Sequence, residues 1–152
     1  VRTMSKHEII EVIARGVCVK GGRLLVCHSK GARNTYLPGG HVEFTEPAAE
    51  SLRREIEEEM GLEACVGRFL GGVEHSFIQK GRRHCEVNLV FAMDIPELDG
   101  QRRPSSREEY IEFTWVSLRG LTAAHLEPAA LCRALPKWLK GDTKNAAWAS
   151  TY

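Results

Sequence analysis

The stretch "LRREIEEEMGL", Leu52 to Leu62, crowds four glutamates into two helical turns and closes on a glycine. On a helix, like charges three or four residues apart are neighbours, and each such pair is mildly destabilising. Stepping about 100° per residue from Ile56 places Leu52, Ile56 and Met60 on one apolar stripe that must face a core. Glu55, Glu58 and Glu59 then fall within about 100° of one another beside that stripe, while Glu57 points to the far side. Arg54 lies one turn from both Glu50 and Glu58 and can brace this face, but one guanidinium does not neutralise three carboxylates. A divalent cation does. Hard oxygen ligands at this density suit Mg²⁺ or Mn²⁺, which bind through a few carboxylates and share substrate phosphate oxygens. The competing reading is a solvated acidic face, the common fate of a charge run.

The residues just upstream favour the metal. In "NTYLPGGHVEF", Asn34 to Phe44, the run Pro38, Gly39, Gly40 excludes regular structure and lets backbone approach closely. Pro47 suits the first turn of the helix, with Thr45 or Glu46 before it, and Gly61 suits a left-handed stop. A Gly-Gly turn beside a helix start offers carbonyls to a metal and N–H groups to phosphate. Together, glycine loop and acidic face are much rarer than either alone.

Further out, "ARGVCVKGGRLLVCHSK" predicts strands over Ala14 to Val19 and Arg23 to Cys27, joined by a hairpin at Gly21–Gly22. Past the helix, "CVGRFLGGVEHSFIQ" and "HCEVNLVFAMDI" predict strands around a "GRR" turn, with His84, Glu86 and Asn88 on one parity. Pro96 to Ser106 predicts a polar loop and "YIEFTWVSL" another strand. Pro128 to Leu139 predicts an amphipathic helix with Ala129, Leu131, Cys132, Leu135 and Leu139 inward. Phe77, Tyr110, Phe113 and Trp115 are expected in the core. The tail, Lys140 to Tyr152, is little more than polar residues around Trp148, and either docks on the body, pairs two copies or stays disordered.

The chain has 152 residues, a length that fits one domain with a single core. The expected division is a 1–12 extension, a 13–140 domain and a 141–152 tail. A net charge of +1 gives no reason to expect nucleic acid or an anionic membrane as partner. No apolar run reaches the length of a membrane span, and the charged start "VRTMSKHE" lacks the apolar segment of a secretory signal, so a cytoplasmic location is expected. Five scattered cysteines without a CxxC pair read as reduced thiols rather than a disulfide frame or zinc site.

With these residues in view, "GHVEFTEPAAESLRREIEEEMGL", Gly40 to Leu62, resembles a complete Nudix box, with Gly40, Glu46, Arg54, Glu55, Ile56, Glu58, Glu59, Gly61 and Leu62 at every specified position. The flanking "YLPGG" and "EFTWVSL" extend the likeness over most of residues 14 to 120. The resemblance implies an α/β fold, a Nudix-type α/β/α sandwich with a mixed β-sheet between helices. It further implies a Mg²⁺-dependent pyrophosphohydrolase, with Mn²⁺ as substitute, cleaving the diphosphate of a nucleoside diphosphate linked to another group.

Glu58 and Glu59 are the first metal ligands it implies, with the Gly39 carbonyl contributing. Glu55 is a further ligand or the general base, braced by Arg54. A ligand from outside the box is expected shortly before Trp115, with Glu109 the candidate and Glu108, Glu112 and Glu86 its rivals. Gly40, Lys30 and Arg33 are candidates for substrate phosphate. Additions diagnostic of ADP-ribose or dinucleoside polyphosphates are missing from "HSFIQKGRR", which weakens both assignments without excluding them, and the expected substrate is a small nucleotide, either a nucleoside triphosphate or an ADP-ribose-like compound. A binding module on the same scaffold is the alternative, but such a module would be expected to lose part of the acidic triad. An isoprenoid isomerase would need a cysteine in "SKGARNTYLPGG", which has none.

Overall fold

The structure is a computed structural model and describes residues 8–141 and 147–151. Its first sheet is mixed. Strand β1 (Ile10–Val17) runs parallel to β7 (Arg82–Asp94) and antiparallel to β5 (Gly39–His41); β7 pairs antiparallel with β6 (Cys65–Gln79). The second sheet joins β2 (Val19–Lys20), β3 (Arg23–Ser29), β4 (Thr35–Tyr36) and β9 (Leu126–Glu127), with β8 (Ile111–Ser117) paired to β3. Helices α1 (Ala48–Met60) and α2 (Leu131–Leu139) complete the described elements, apart from β10 (Trp148–Ser150).

Side-chain alternation along the strands feeds two cores. Ala14, Leu25, Cys27, Phe113 and Trp115 pack with Leu52, Ile56 and Met60 of α1. Val17, Leu24, Val26, Val73 and Val90 pack with Leu131, Leu135 and Trp138 of α2. Strands whose two faces are both buried against helices make this the expected α/β/α sandwich.

Several expectations need local correction. The strand expected over Ala14 to Val19 is split at Cys18, because β5 and β7 already occupy both edges of β1. The chain must cross to the second sheet to form its hairpin, and Cys18, fully buried, marks the crossing. Pro47 is the N-cap of α1, not a first-turn residue. Helix α2 starts at Leu131, leaving Ala129 exposed, and Trp138 is buried while Leu139 is only half-buried. Tyr110 is exposed and Phe77 half-buried; of the expected core aromatics, Phe113 and Trp115 are buried.

At the other end of α1, Gly61 adopts the left-handed conformation (φ 71°) and its N–H donates to the Glu57 carbonyl at 2.8 Å. The loop before β8 folds over this end, where the Arg107 N–H donates to the Glu59 carbonyl at 2.7 Å and its guanidinium reaches the Glu57 carbonyl at 3.4 Å. A cation there complements the helix dipole. All five cysteines are free. Part of the tail docks on the body, as β10 pairs parallel to β6 from Trp148↔Gly72 to Ser150↔Glu74; residues 142–146 and 152 lie outside the described residues. Among the described residues, no helix is long and apolar enough to cross a membrane.

Because Ile56 is fully buried at the centre of the α1 stripe, Ile56→Ala is expected to cost about 2–5 kcal/mol in urea unfolding, against no more than about 0.5 kcal/mol for the exposed Glu57→Ala.

Candidate functional site

Arg54 organises the acidic face. Its Nε and Nη2 donate to the two oxygens of Glu46 at 2.9 and 3.0 Å, and its Nη1 donates to Glu55 at 2.8 Å and Glu58 at 3.3 Å. The bidentate contact to Glu46 is the strong form of this pair. Through its hydrogen bonds the guanidinium holds the Glu46 carboxyl down at about 2. Arg54 Nη2 and Ser51 Oγ also donate to the His41 carbonyl, at 3.2 and 2.9 Å. The glycine loop is thereby fixed to the helix.

The two glycines of that loop serve different purposes. A Cβ on Gly40 would sit 2.3 Å from the Glu55 carboxyl carbon, so the bare Cα is the wall against which this carboxylate rests. Gly39 has φ 135°, and a Cβ there would lie 2.0 Å from the Ala14 carbonyl oxygen, so the β1–β5 pairing itself demands glycine. The Gly39 carbonyl faces Arg15, whose Nη1 lies 3.4 Å away and donates also to the Leu37 carbonyl at 3.0 Å.

Glu59 is the anomalous member. Its Oε2 is buried and has no hydrogen-bond partner among the described residues. Burial, and then the charge of Glu55, push the carboxyl up to about 7; Arg15 opposes this, while Glu108 and Glu58 add to it. An orphaned buried carboxylate oxygen is costly. With Glu55 and Glu58 on the same helix face, the all-oxygen donor set fits a hard divalent cation. Among the described residues, no three acidic, histidine or cysteine side chains converge into a ready-made cage. That follows from like charges that repel one another, with Glu55 and Glu58 drawn to Arg54.

Glu108, half-buried, belongs to the loop that caps α1; its N–H donates to Ser106 Oγ at 3.1 Å, and that hydroxyl reaches the Glu59 carbonyl at 3.4 Å. Glu109 is exposed and lines a shallow cleft with Lys30 and Arg103. Glu112 pairs with Arg103 at 3.1 Å. Arg33 is exposed, and neither it nor Lys30 bonds the acidic triad among the described residues.

Beside the acidic face the gap between the sheets opens into a cavity of about 690 Å³, lined by Arg15, Tyr36, His75, Phe77, Glu86 and Glu127 among others. Arg15 lies 5.4 Å from the Tyr36 ring centroid, and Phe77 stacks between His75 and His84 at 5.1 and 5.0 Å. Arg15 Nε donates to Oδ1 of the fully buried Asn88 at 3.2 Å, and Asn88 Nδ2 donates to Glu86 at 3.3 Å. Sequence reasoning missed Arg15 and Asn88. The available signal was a lone arginine inside the apolar run "VIARGVCV".

The sequence profile of the NUDIX domain matches residues 10–135. This chain belongs to that family. A Mycobacterium tuberculosis protein that carries the name MutT4 is 32% identical over 85 residues, which cover 56% of this chain and 33% of that protein. The matched segment thus spans about a third of that relative's length. The MutT NUDIX hydrolase from Burkholderia pseudomallei superposes with a TM-score of 0.57 at 29% identity, covering 73% of this chain and 85% of the other. A UDP-X diphosphatase superposes with a TM-score of 0.64 at 20% identity, over 95% and 69% of the two chains, a likeness of fold.

Two outcomes test this Nudix site. Glu59 is protonated in folded and unfolded chains below pH 4.5, so its burial has no cost there; the cost grows as pH rises and is complete above about 7. Glu59→Gln is therefore expected to stabilise the metal-free protein by up to about 3 kcal/mol at pH 8, a gain that vanishes towards pH 4.5 in thermal melts with chelator. Gly39→Ala, in steric conflict with backbone, is expected to cost at least about 1–3 kcal/mol of stability, whereas Gly40→Ala displaces the mobile end of Glu55 and lowers turnover more than stability.

Proposed function

We propose that this Nudix domain is a divalent-metal-dependent pyrophosphohydrolase that cleaves the diphosphate of a small nucleotide. The observation that carries the reading is the buried Oε2 of Glu59, without a hydrogen-bond partner among the described residues, beside Glu55 and Glu58. Glu58, Glu59 and the Gly39 carbonyl would hold Mg²⁺, with Mn²⁺ as substitute, and Glu108 rather than the exposed Glu109 is the favoured contributor from outside the helix. When bound, the ion neutralises phosphate oxygens and lowers the pKa of water.

The remaining work falls to the chain. Glu55, held between Arg54 and the bare Cα of Gly40, accepts the proton of the attacking water. Arg54 is a positioning residue that keeps Glu55 and Glu58 turned to one side of α1 and clamps the glycine loop through Glu46. Arg15, at the boundary between cavity and acidic face, is the cation placed for a substrate phosphate, ahead of Lys30 and Arg33. The aromatic-lined cavity holds the nucleoside end. Retention of all three carboxylates favours catalysis over mere binding.

Hydrolysis of a nucleotide panel with Mg²⁺ or Mn²⁺, reading nucleoside monophosphate and phosphate separately, is expected to show metal-dependent release of the monophosphate. Glu55→Gln is expected to lower kcat by about 10²–10⁴ while leaving Mn²⁺ affinity, followed by electron paramagnetic resonance, nearly unchanged. Glu59→Gln is expected to lose the Mn²⁺ itself. Full activity in both variants would sink the assignment.

A further inference from the structure

We infer that Asn88 is a positioning residue that keeps the Arg15 guanidinium apart from Glu86 and free for a substrate phosphate; this rests on the hydrolase reading above. Asn88 is fully buried on β7, where it pairs with Ile13 of β1, and Arg15 follows two residues along the same face of β1. Its amide lies between two ions. Oδ1 accepts from Arg15 Nε at 3.2 Å, while Nδ2 donates to Glu86 Oε2 at 3.3 Å and to the Val73 carbonyl at 3.5 Å. Only one orientation of the amide fits, because a guanidinium only donates and a carboxylate only accepts.

The consequence falls on Arg15. Asn88 holds its Nε, and the Leu37 and Gly39 carbonyls hold its Nη1 at 3.0 and 3.4 Å. Nη2 makes no hydrogen bond among the described residues and is not one of their buried unpartnered atoms, so its donors meet solvent. They are the donors left for a ligand oxygen. Arg15 lines the cavity and its charge is felt by Glu59, which puts it within reach of both cavity and acidic face. An arginine and a glutamate sharing one wall would ordinarily close into a direct pair with two parallel charge-assisted bonds. That pair would occupy the donors a phosphate needs. The neutral amide of Asn88 prevents it by giving each ion one hydrogen bond while leaving both charges unneutralised.

Calorimetric titration with imidodiphosphate, a diphosphate that resists hydrolysis, in the presence of Mg²⁺ tests the assignment. Arg15→Met is expected to weaken binding by about tenfold or more, as for the loss of a hydrogen bond to a charged group. Asn88→Ala, which lets Arg15 close on Glu86, is expected to weaken it to a similar degree. Asn88→Asp, which ties Arg15 to a carboxylate, is expected to do the same and serves where the alanine variant does not fold. Two comparisons separate positioning from support of the fold. In the Arg15→Met background, Asn88→Ala is expected to weaken binding by less than about twofold more. In the Asn88→Ala background, Glu86→Gln removes the competing charge and is expected to restore binding by at least about threefold. Unchanged binding in Arg15→Met or in the Asn88 variants, additive losses, no recovery with Glu86→Gln, or a protein that binds no imidodiphosphate would overturn the inference. Metal-dependent turnover of nucleotides untouched by Arg15→Met would leave the hydrolase reading standing and defeat this one, whereas the expected binding pattern without turnover would do the reverse.

Discussion

Everything at the site depends on how one guanidinium is shared. Arg54 contacts Glu46, Glu55 and Glu58 and the His41 carbonyl at once. A planar group with five donors in a fixed fork can do this, whereas a lysine cannot. The network compensates part of the repulsion along α1 and locks the glycine loop against the helix start. It leaves Glu59 out. That carboxylate is held on the side of the helix near Arg15, whose charge opposes the rise in its pKa without hydrogen-bonding Oε2. A fold that satisfies three of four carboxylates and strands the last within the same turn has placed its cost where a cation would recover it.

The split of β1 from β2 has a consequence beyond topology. By sending the chain across at Cys18, the fold builds its strands into two separate sheets, one ending β1 before Cys18 and one beginning with β2 after it. Where the pieces are packed, α2 and the second core fill the space. Past that core the gap is lined by polar and aromatic side chains instead, and the cavity results. Arg15 and Glu86 on its wall are joined through the buried Asn88 amide, which accepts from the one and donates to the other.

The box and its helix were legible in the sequence because their information is local. Leu52, Ile56 and Met60 at helical spacing, Gly61 as the stop and Gly39–Gly40 as the close approach all express constraints between residues near in the chain. The cavity is not legible, since Glu127 and Glu86 come to line it only through pairings of strands far apart in the chain, and a half-buried Phe77 has the same composition signal as a core one. The sequence pattern starts helix α2 too early because Ala129 continues the apolar pattern without continuing the helix. Which of the consecutive Glu108 and Glu109 is half-buried is likewise not legible in the sequence, because it follows from the turn in which the Ser106 hydroxyl accepts from the Glu108 N–H and reaches the Glu59 carbonyl.

The same loop exposes a tension that the metal reading resolves. The C-terminal end of a helix carries partial negative charge, and the loop answers it with Arg107 on the carbonyls of Glu57 and Glu59. Yet the next residue brings the Glu108 carboxylate towards Glu59, where it raises the pKa of a group already penalised by burial. Were the purpose only to cap the helix, a neutral residue at 108 would serve better. Adding negative charge to a site already short of positive charge makes physical sense where a dication is to be held, because the ligand charge count is what raises affinity for hard ions. Under the proposed metal reading, fold stability and ion affinity would pull in opposite directions at this loop, with Glu108 on the side of the ion.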